Sequence, residues 1–176
     1  MSKKDEILHA AMKLFAAKGY EKSSMAEVAA MTGTTGSNIF YHYRTKEDIL
    51  LAILQKVKTE LLDQFQAEIG NRQFADGLAM VEGIAAAYLG LSSIHGDWFM
   101  LLHHRFPYDL AAVNPTCREH LEAIYASVID LFEQAIHRGQ ADGSIARIPA
   151  HKAAMILFAM VDGVVRYNTY NLYEAG

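Results

Sequence analysis

The chain has 176 residues, 52% of them hydrophobic, and carries 16 Lys/Arg against 20 Asp/Glu for a formal charge of −4. That length supports a sizeable core in one or two domains, and the negative balance excludes a protein that binds polyanions by bulk charge. A single cysteine, Cys117, excludes an intrachain disulfide framework. With no signal-peptide pattern and no apolar run of membrane-spanning length read in the sequence, a cytoplasmic protein without a membrane partner is predicted.

Helical periodicity begins at once. From Lys4 to Lys18 the residues Ile7, Ala11, Leu14 and Phe15 share one face, and Gly19-Tyr20 stops the helix. Ser24 followed three residues later by Glu27 has the spacing of a capping box, in which the hydroxyl accepts from a first-turn N–H and the carboxylate reaches back. Val28 and Met31 are predicted to point one way, Ala29 leaves room for another helix, and Gly33 suits a left-handed turn. Thr35 is the expected cap of a second short helix. It carries Gly36, Ser37, Asn38, Tyr41 and His42 at positions that need not be buried. Thr45 caps the next helix, with Lys46 exposed at its start and Glu47 and Asp48 suited to its positive end.

Downstream, strand signals are nearly absent and the fold class is all-α. A fourth helix is predicted from Lys46 to Ile69, striped by Ile49, Leu50, Ile53, Leu54, Val57, Leu61 and Phe65. Further helices are predicted over Phe74–Ser92, Asp97–Arg105, Pro115–Arg138 and Pro149–Leu172, with the Pro107 region and the 139–149 stretch as connecting loops. Residues 1–50 hold seven Lys/Arg and six Asp/Glu, for +1, which leaves −5 on residues 51–176. The acidic excess therefore lies away from the two short helices.

Two short helices around a glycine turn, ending in Phe40-Tyr41-His42-Tyr43-Arg44-Thr45-Lys46-Glu47, resemble the DNA-binding region of the TetR family of transcriptional regulators. The resemblance covers roughly residues 5 to 52. Gly36 departs from the Lys or polar residue often found there, and Phe40 and Tyr43 exchange the usual Tyr and Phe. The resemblance implies that Thr35, Ser37, Asn38, Tyr41 and His42 face DNA while Ser24, Tyr43 and Lys46 hold phosphates. On their own chemistry, Tyr41 and Tyr43 also suit packing, and Ser24 suits capping alone. The implied organisation is a three-helix DNA-binding domain over residues 1–48 and a helical effector-binding and dimerisation domain over 49–176. Homodimers would pair through the last two long helices, about Arg118–Gln140 and Ala150–Tyr170. Two-fold symmetry would space the reading helices one duplex turn apart on a palindromic operator. Repression relieved by a small-molecule effector is likewise an implication of the family.

For the effector, the large side chains Tyr88, Trp98, Phe99, His103, Phe106, Tyr125 and Phe158, together with Asp162, are the candidate pocket residues, with core packing as the alternative for each. Asp162 and Arg166 also have the spacing of an i,i+4 pair. His103 and His104 are adjacent on a helix and diverge by about 100°, so no metal site is expected. No nucleophile–base pattern or phosphate loop is present, which gives no expectation of enzyme activity or of a cofactor. A helical enzyme using Asp97, His103 and His104, and a DNA-binding protein without an effector, are the competing classes.

Overall fold

The computed structural model describes residues 2–172, so residues 173–176 of the expected carboxy-terminal domain lie outside the described residues. Nine helices and no strand occur among them: α1 (Lys3–Lys18), α2 (Met25–Thr32), α3 (Gly36–His42), α4 (Lys46–Gly70), α5 (Gly77–Ile94), α6 (Gly96–His103), α7 (Arg105–Ala111), α8 (Pro115–Asp142) and α9 (Ala150–Thr169). The all-α expectation holds.

Local chemistry explains why the first helices start and stop where they do. Ser2 with Asp5, Ser24 with Glu27 and Thr45 with Asp48 each form a reciprocal box, side chain to backbone in both directions, at the starts of α1, α2 and α4. Thr35 caps α3, its hydroxyl 3.3 Å from the Asn38 N–H. Gly33 ends α2 at φ 60°, ψ 29°, a left-handed conformation that costs other residues energy.

Two differences from the sequence reading concern prolines and glycines. The Pro107 region is the helix α7 rather than a loop, because Pro107 occupies its first turn, where a missing N–H goes unused anyway. α8 continues through Gly139 to Asp142, and it does so because the glycine is a packing site. A Cβ on Gly77 of α5 would fall 2.1 Å from the Gly139 nitrogen. The start of α5 is fixed by partners on three consecutive donors: Gly77 N–H to Asp142 at 2.8 Å, Leu78 N–H to Ser144 Oγ at 3.2 Å, and Ala79 N–H to Asp76 at 2.8 Å. The hydrogen bonds from Ser144, together with the Gly77 N–H, hold the Asp142 carboxyl below the usual range.

Packing divides the chain into two compact units. The first contains residues up to 58 together with 97–121, so α6, α7 and the start of α8 fold with the three amino-terminal helices. Its centre is built from Ile7, Ala11 and Phe15 of α1, Val28 of α2, Ile39 of α3 and Ile49, Leu50 and Ile53 of α4, all essentially inaccessible. Met31, expected beside Val28, is instead exposed. Among the described residues, the second unit contains 59–96 and 122–172; there α5 packs on α9, and Ile84, Tyr88, Phe132 and Ala154 are buried. α5 is eighteen residues long and apolar enough by composition to cross a membrane, contrary to the expectation of no such run. Its Gly77 backbone contact and its Tyr88 hydrogen bond to Asp162 are the contacts of a packed protein helix.

The Gly77–Gly139 contact predicts opposite effects for two alanines. Gly77→Ala should lower the urea midpoint, by about 1–3 kcal/mol of overpacking. Gly90→Ala, in the same helix but with open space at the Cβ position, should raise it by about 0.5–1 kcal/mol. Equal and small effects at both positions would contradict the close backbone approach.

Candidate nucleic-acid interface

On α3, Ile39 is fully buried and fixes which way the helix faces. Ser37 and Tyr41 lie two residues to either side, about 200° around the axis, and both are exposed. Tyr41 is 83% accessible and Phe40 is 54% accessible, a large investment of aromatic surface in water. His42 meets the Tyr41 ring edge-on at 5.2 Å between centroids. Asn38 is half-buried and donates through Nδ2 to Thr34 Oγ1 at 2.7 Å, which sets its amide orientation. Thr35 is exposed at the cap. The five residues expected to face DNA thus lie along one short helix and its cap, with Tyr41 and Ser37 outermost.

Phe40 was not among the expected contacts. Its position one step from buried Ile39 and three from exposed Ser37 carries the signal. Gly36 has nothing within 4 Å of its would-be Cβ, so packing does not require glycine there. Exposed Arg44 follows the helix directly.

The three residues implied as phosphate contacts behave differently. Ser24 is exposed, but its hydroxyl donates to Glu27 at 2.8 Å and accepts from the Glu27 N–H at 3.2 Å, so capping occupies it. Tyr43 is a correction: it is 5% accessible, and its hydroxyl has neither solvent contact nor a hydrogen-bond partner among the described residues. Burial, with Asp5 nearby, pushes its pKa up to about 12. In this fold Tyr43 packs beneath Lys4, whose ammonium lies 5.6 Å from its ring. Lys46 is half-buried rather than exposed. Its ammonium donates to the carbonyls of Tyr20 at 2.7 Å and Ser23 at 2.9 Å, and lies 4.1 Å from the Tyr20 ring centroid. It holds the α1–α2 connection to the start of α4.

The effector candidates fall into two sets. In the second unit, the Tyr88 hydroxyl donates to Asp162 at 2.7 Å, Phe158 meets the Tyr88 ring edge-on at 5.7 Å, and Tyr125 lies 5.7 Å from Phe158. These four residues converge. In the first unit, Trp98, Phe99 and His103 are buried in α6, and Phe106 stacks on Tyr20 at 3.7 Å. Among the described residues, no group of three or more His, Cys, Asp or Glu is arranged to hold a metal ion.

Comparison with known proteins bears on this geometry. Residues 7–53 match the family model described as bacterial regulatory proteins, tetR family. Residues 7–53 therefore carry a DNA-binding domain of the tetR-family type. Over 165 residues it is 26% identical to the HTH-type transcriptional repressor BepR of Brucella suis, covering 91% of this chain and 77% of that protein. A putative transcriptional regulator from Saccharomonospora viridis, solved with choline, superposes with a TM-score of 0.83 at 24% identity, covering 93% of this chain and 83% of that one. AibR, solved with isovaleryl coenzyme A and operator DNA, gives 0.74 at 23% identity, covering 94% and 86%. These two structures share the fold of this chain.

Two measurements separate reading from scaffolding. Tyr41→Ala should weaken binding to cognate DNA while leaving the thermal midpoint unchanged, whereas Lys46→Ala should lower the midpoint, by about 1–3 kcal/mol, because two half-buried carbonyls lose their donor. Intact stability in Lys46→Ala would refute the clamp.

Glu27 provides a pH test. Its carboxyl is held at about 2, first by the hydrogen bond from Lys18 and then by Ser24. The folded value lies below the ordinary value of about 4.3, so the stabilisation is complete above that value and disappears as pH falls through about 2. Glu27→Gln should therefore destabilise near neutrality and flatten the acid limb of a stability-against-pH curve; an unchanged acid limb would contradict the assignment.

Proposed function

We propose that this TetR-family regulator is a homodimeric, cytoplasmic repressor that leaves a palindromic operator when a small molecule binds its carboxy-terminal helices. The observation that carries the reading is α3, which spends its packing on Ile39 and keeps Ser37, Phe40 and Tyr41 at the surface. A seven-residue helix with that division of labour suits insertion into a major groove, where Asn38, Ser37 and Thr35 supply donors and acceptors for base edges or phosphates. Phosphate contact then comes from helix ends and a few exposed cations such as Arg44, not from net charge. In this reading residues 1–48 are the reader, and effector binding and pairing belong to the remainder.

Dimerisation is supported by the outer face of α9. Met155, Ile156, Met160, Val164 and Tyr167 are 50%, 61%, 63%, 38% and 54% accessible and repeat at helical spacing. Ala159 and Gly163 lie between them, small enough for a second helix to approach closely. Leaving such a stripe in water is unfavourable, and a symmetric partner covers it.

For the effector, Tyr88, Tyr125, Phe158 and Asp162 offer an aromatic wall with one hydrogen-bonded carboxylate. α4 continues unbroken from the Thr45–Asp48 cap beside the reader into the second unit. An effector that prefers a different α4 packing therefore lowers operator affinity by its differential binding to the two arrangements. No catalytic role is assigned.

Selection of bound duplexes from a random DNA pool should return an inverted repeat with half-sites roughly one helical turn apart. In sedimentation equilibrium, Met160→Asp should convert dimer to monomer and, in the same protein, reduce operator affinity at least tenfold. A non-palindromic or sequence-independent outcome, or an unchanged dimer, would refute the reading.

A further inference from the structure

A crevice of about 540 Å³ opens in the second unit where the last turns of α4 meet α5 and α8. Its lining mixes apolar side chains, Leu62 and Phe65 of α4, Met80 of α5 and Leu131 of α8, with the polar Gln66 of α4 and Ser127 and Gln134 of α8. Phe65 is fully buried, while Leu62, Met80 and Leu131 keep part of their apolar surface open. The 71–76 connection forms one wall and is fastened at several points. Asp76 caps α5, and the Phe74 ring lies against Gly83, where a Cβ would fall 2.3 Å from it. Arg138 donates through Nη2 to the Phe74 carbonyl at 2.7 Å, and the Arg72 guanidinium lies 5.3 Å from the Phe74 ring centroid.

This arrangement adds two guanidinium groups to a crevice of mixed lining, each steadied by the same phenylalanine. A guanidinium carries five N–H donors in a planar fork that matches a carboxylate, and the Phe74 carbonyl occupies one donor group of Arg138. Asp130 is the one carboxylate on the lining. The size falls within the range of small-molecule sites.

We propose that this crevice binds an amphipathic carboxylate, with its apolar body on Leu62, Met80 and Leu131 and its acid group on Arg72 and Arg138. Phe65 also stacks on Tyr88 at 6.0 Å, so a guest in this crevice presses on the ring whose hydroxyl holds Asp162. That link rests on the effector reading above and names its ligand class; the binding itself does not depend on it.

The test is calorimetric titration of the purified full chain, without DNA, using decanoate, decanol and decyltrimethylammonium below their micellar concentrations. Decanoate should bind at least tenfold more tightly than the alcohol, and the cation should not bind. Arg72→Gln should remove most of that preference, and Asp130→Asn should strengthen decanoate binding several-fold, an arm that does not rely on Arg138 and its structural contact. Equal affinity for acid and alcohol, or decanoate binding that ignores Arg72 and Asp130, would overturn the proposal. So would decanoate binding that is lost in Tyr88→Phe yet untouched by Met80→Trp, which fills the trough. Binding with the expected sensitivities but no change in operator affinity supports the crevice and counts against the effector reading alone.

Discussion

The ammonium of Lys46 is the point on which the reading head turns. At the first residue of α4 it meets two backbone carbonyls of the α1–α2 connection and the face of Tyr20, three contacts converging on one cation. Carbonyls in a half-buried turn need a donor, and an ammonium with three protons can serve both and still lie against a ring. Tyr20 is in turn met edge-on by Phe15 at 5.2 Å and stacked by Phe106. Around this one cation the end of α1, the start of α4 and the start of α7 are tied together, so that α2 and α3 are carried on a fixed frame. Preorganisation of that kind matters for a short recognition helix, which cannot hold its own geometry by internal hydrogen bonds alone.

The same unit includes α6 and α7, and polar contacts as well as aromatic ones hold them there. His104 pairs through Nε2 with the Ala16 carbonyl at 2.8 Å, and Asn114 donates to Glu47 at 2.8 Å. Cys117 is buried, donates weakly to the Pro107 carbonyl and has its thiol pKa pushed up by burial, with Glu47 adding to the effect. A thiol in that setting is a packing group and not a redox sensor. Helices that the sequence assigns to the effector-binding remainder therefore pack with the DNA reader, and movement in α6 or α7 has a direct physical route to α1 and α4.

In the second unit, glycines govern which backbones and rings approach closely. Gly77 against Gly139 brings the α5 and α8 backbones together, and Gly83 receives the Phe74 ring. These close approaches brace one side of the 71–76 strap and leave the arginine-rimmed trough beside it. On α9, by contrast, the small residues Ala159 and Gly163 sit among exposed methionine, isoleucine and tyrosine, on a surface suited to another helix. Small side chains thus serve internal contact at one end of the unit and lie among exposed apolar side chains along α9.

By itself the sequence determined the helical class, most helix boundaries and the caps, because Ser24–Glu27, Thr35, Gly33 and Thr45 act within a turn or two of chain. It likewise placed Ser37 and Tyr41 of the second short helix where burial is not needed, and both are exposed. Only tertiary structure decided that Lys46 faces inward to carbonyls 23 and 26 residues away, that Tyr43 is buried, and that Pro107 lies in the first turn of a helix. It also divided the aromatic effector candidates between two packing units and formed the Arg72–Phe74–Arg138 rim. Each of these depends on contacts between residues far apart in the chain, where burial and partner choice are set by neighbouring helices and local periodicity carries no information about them.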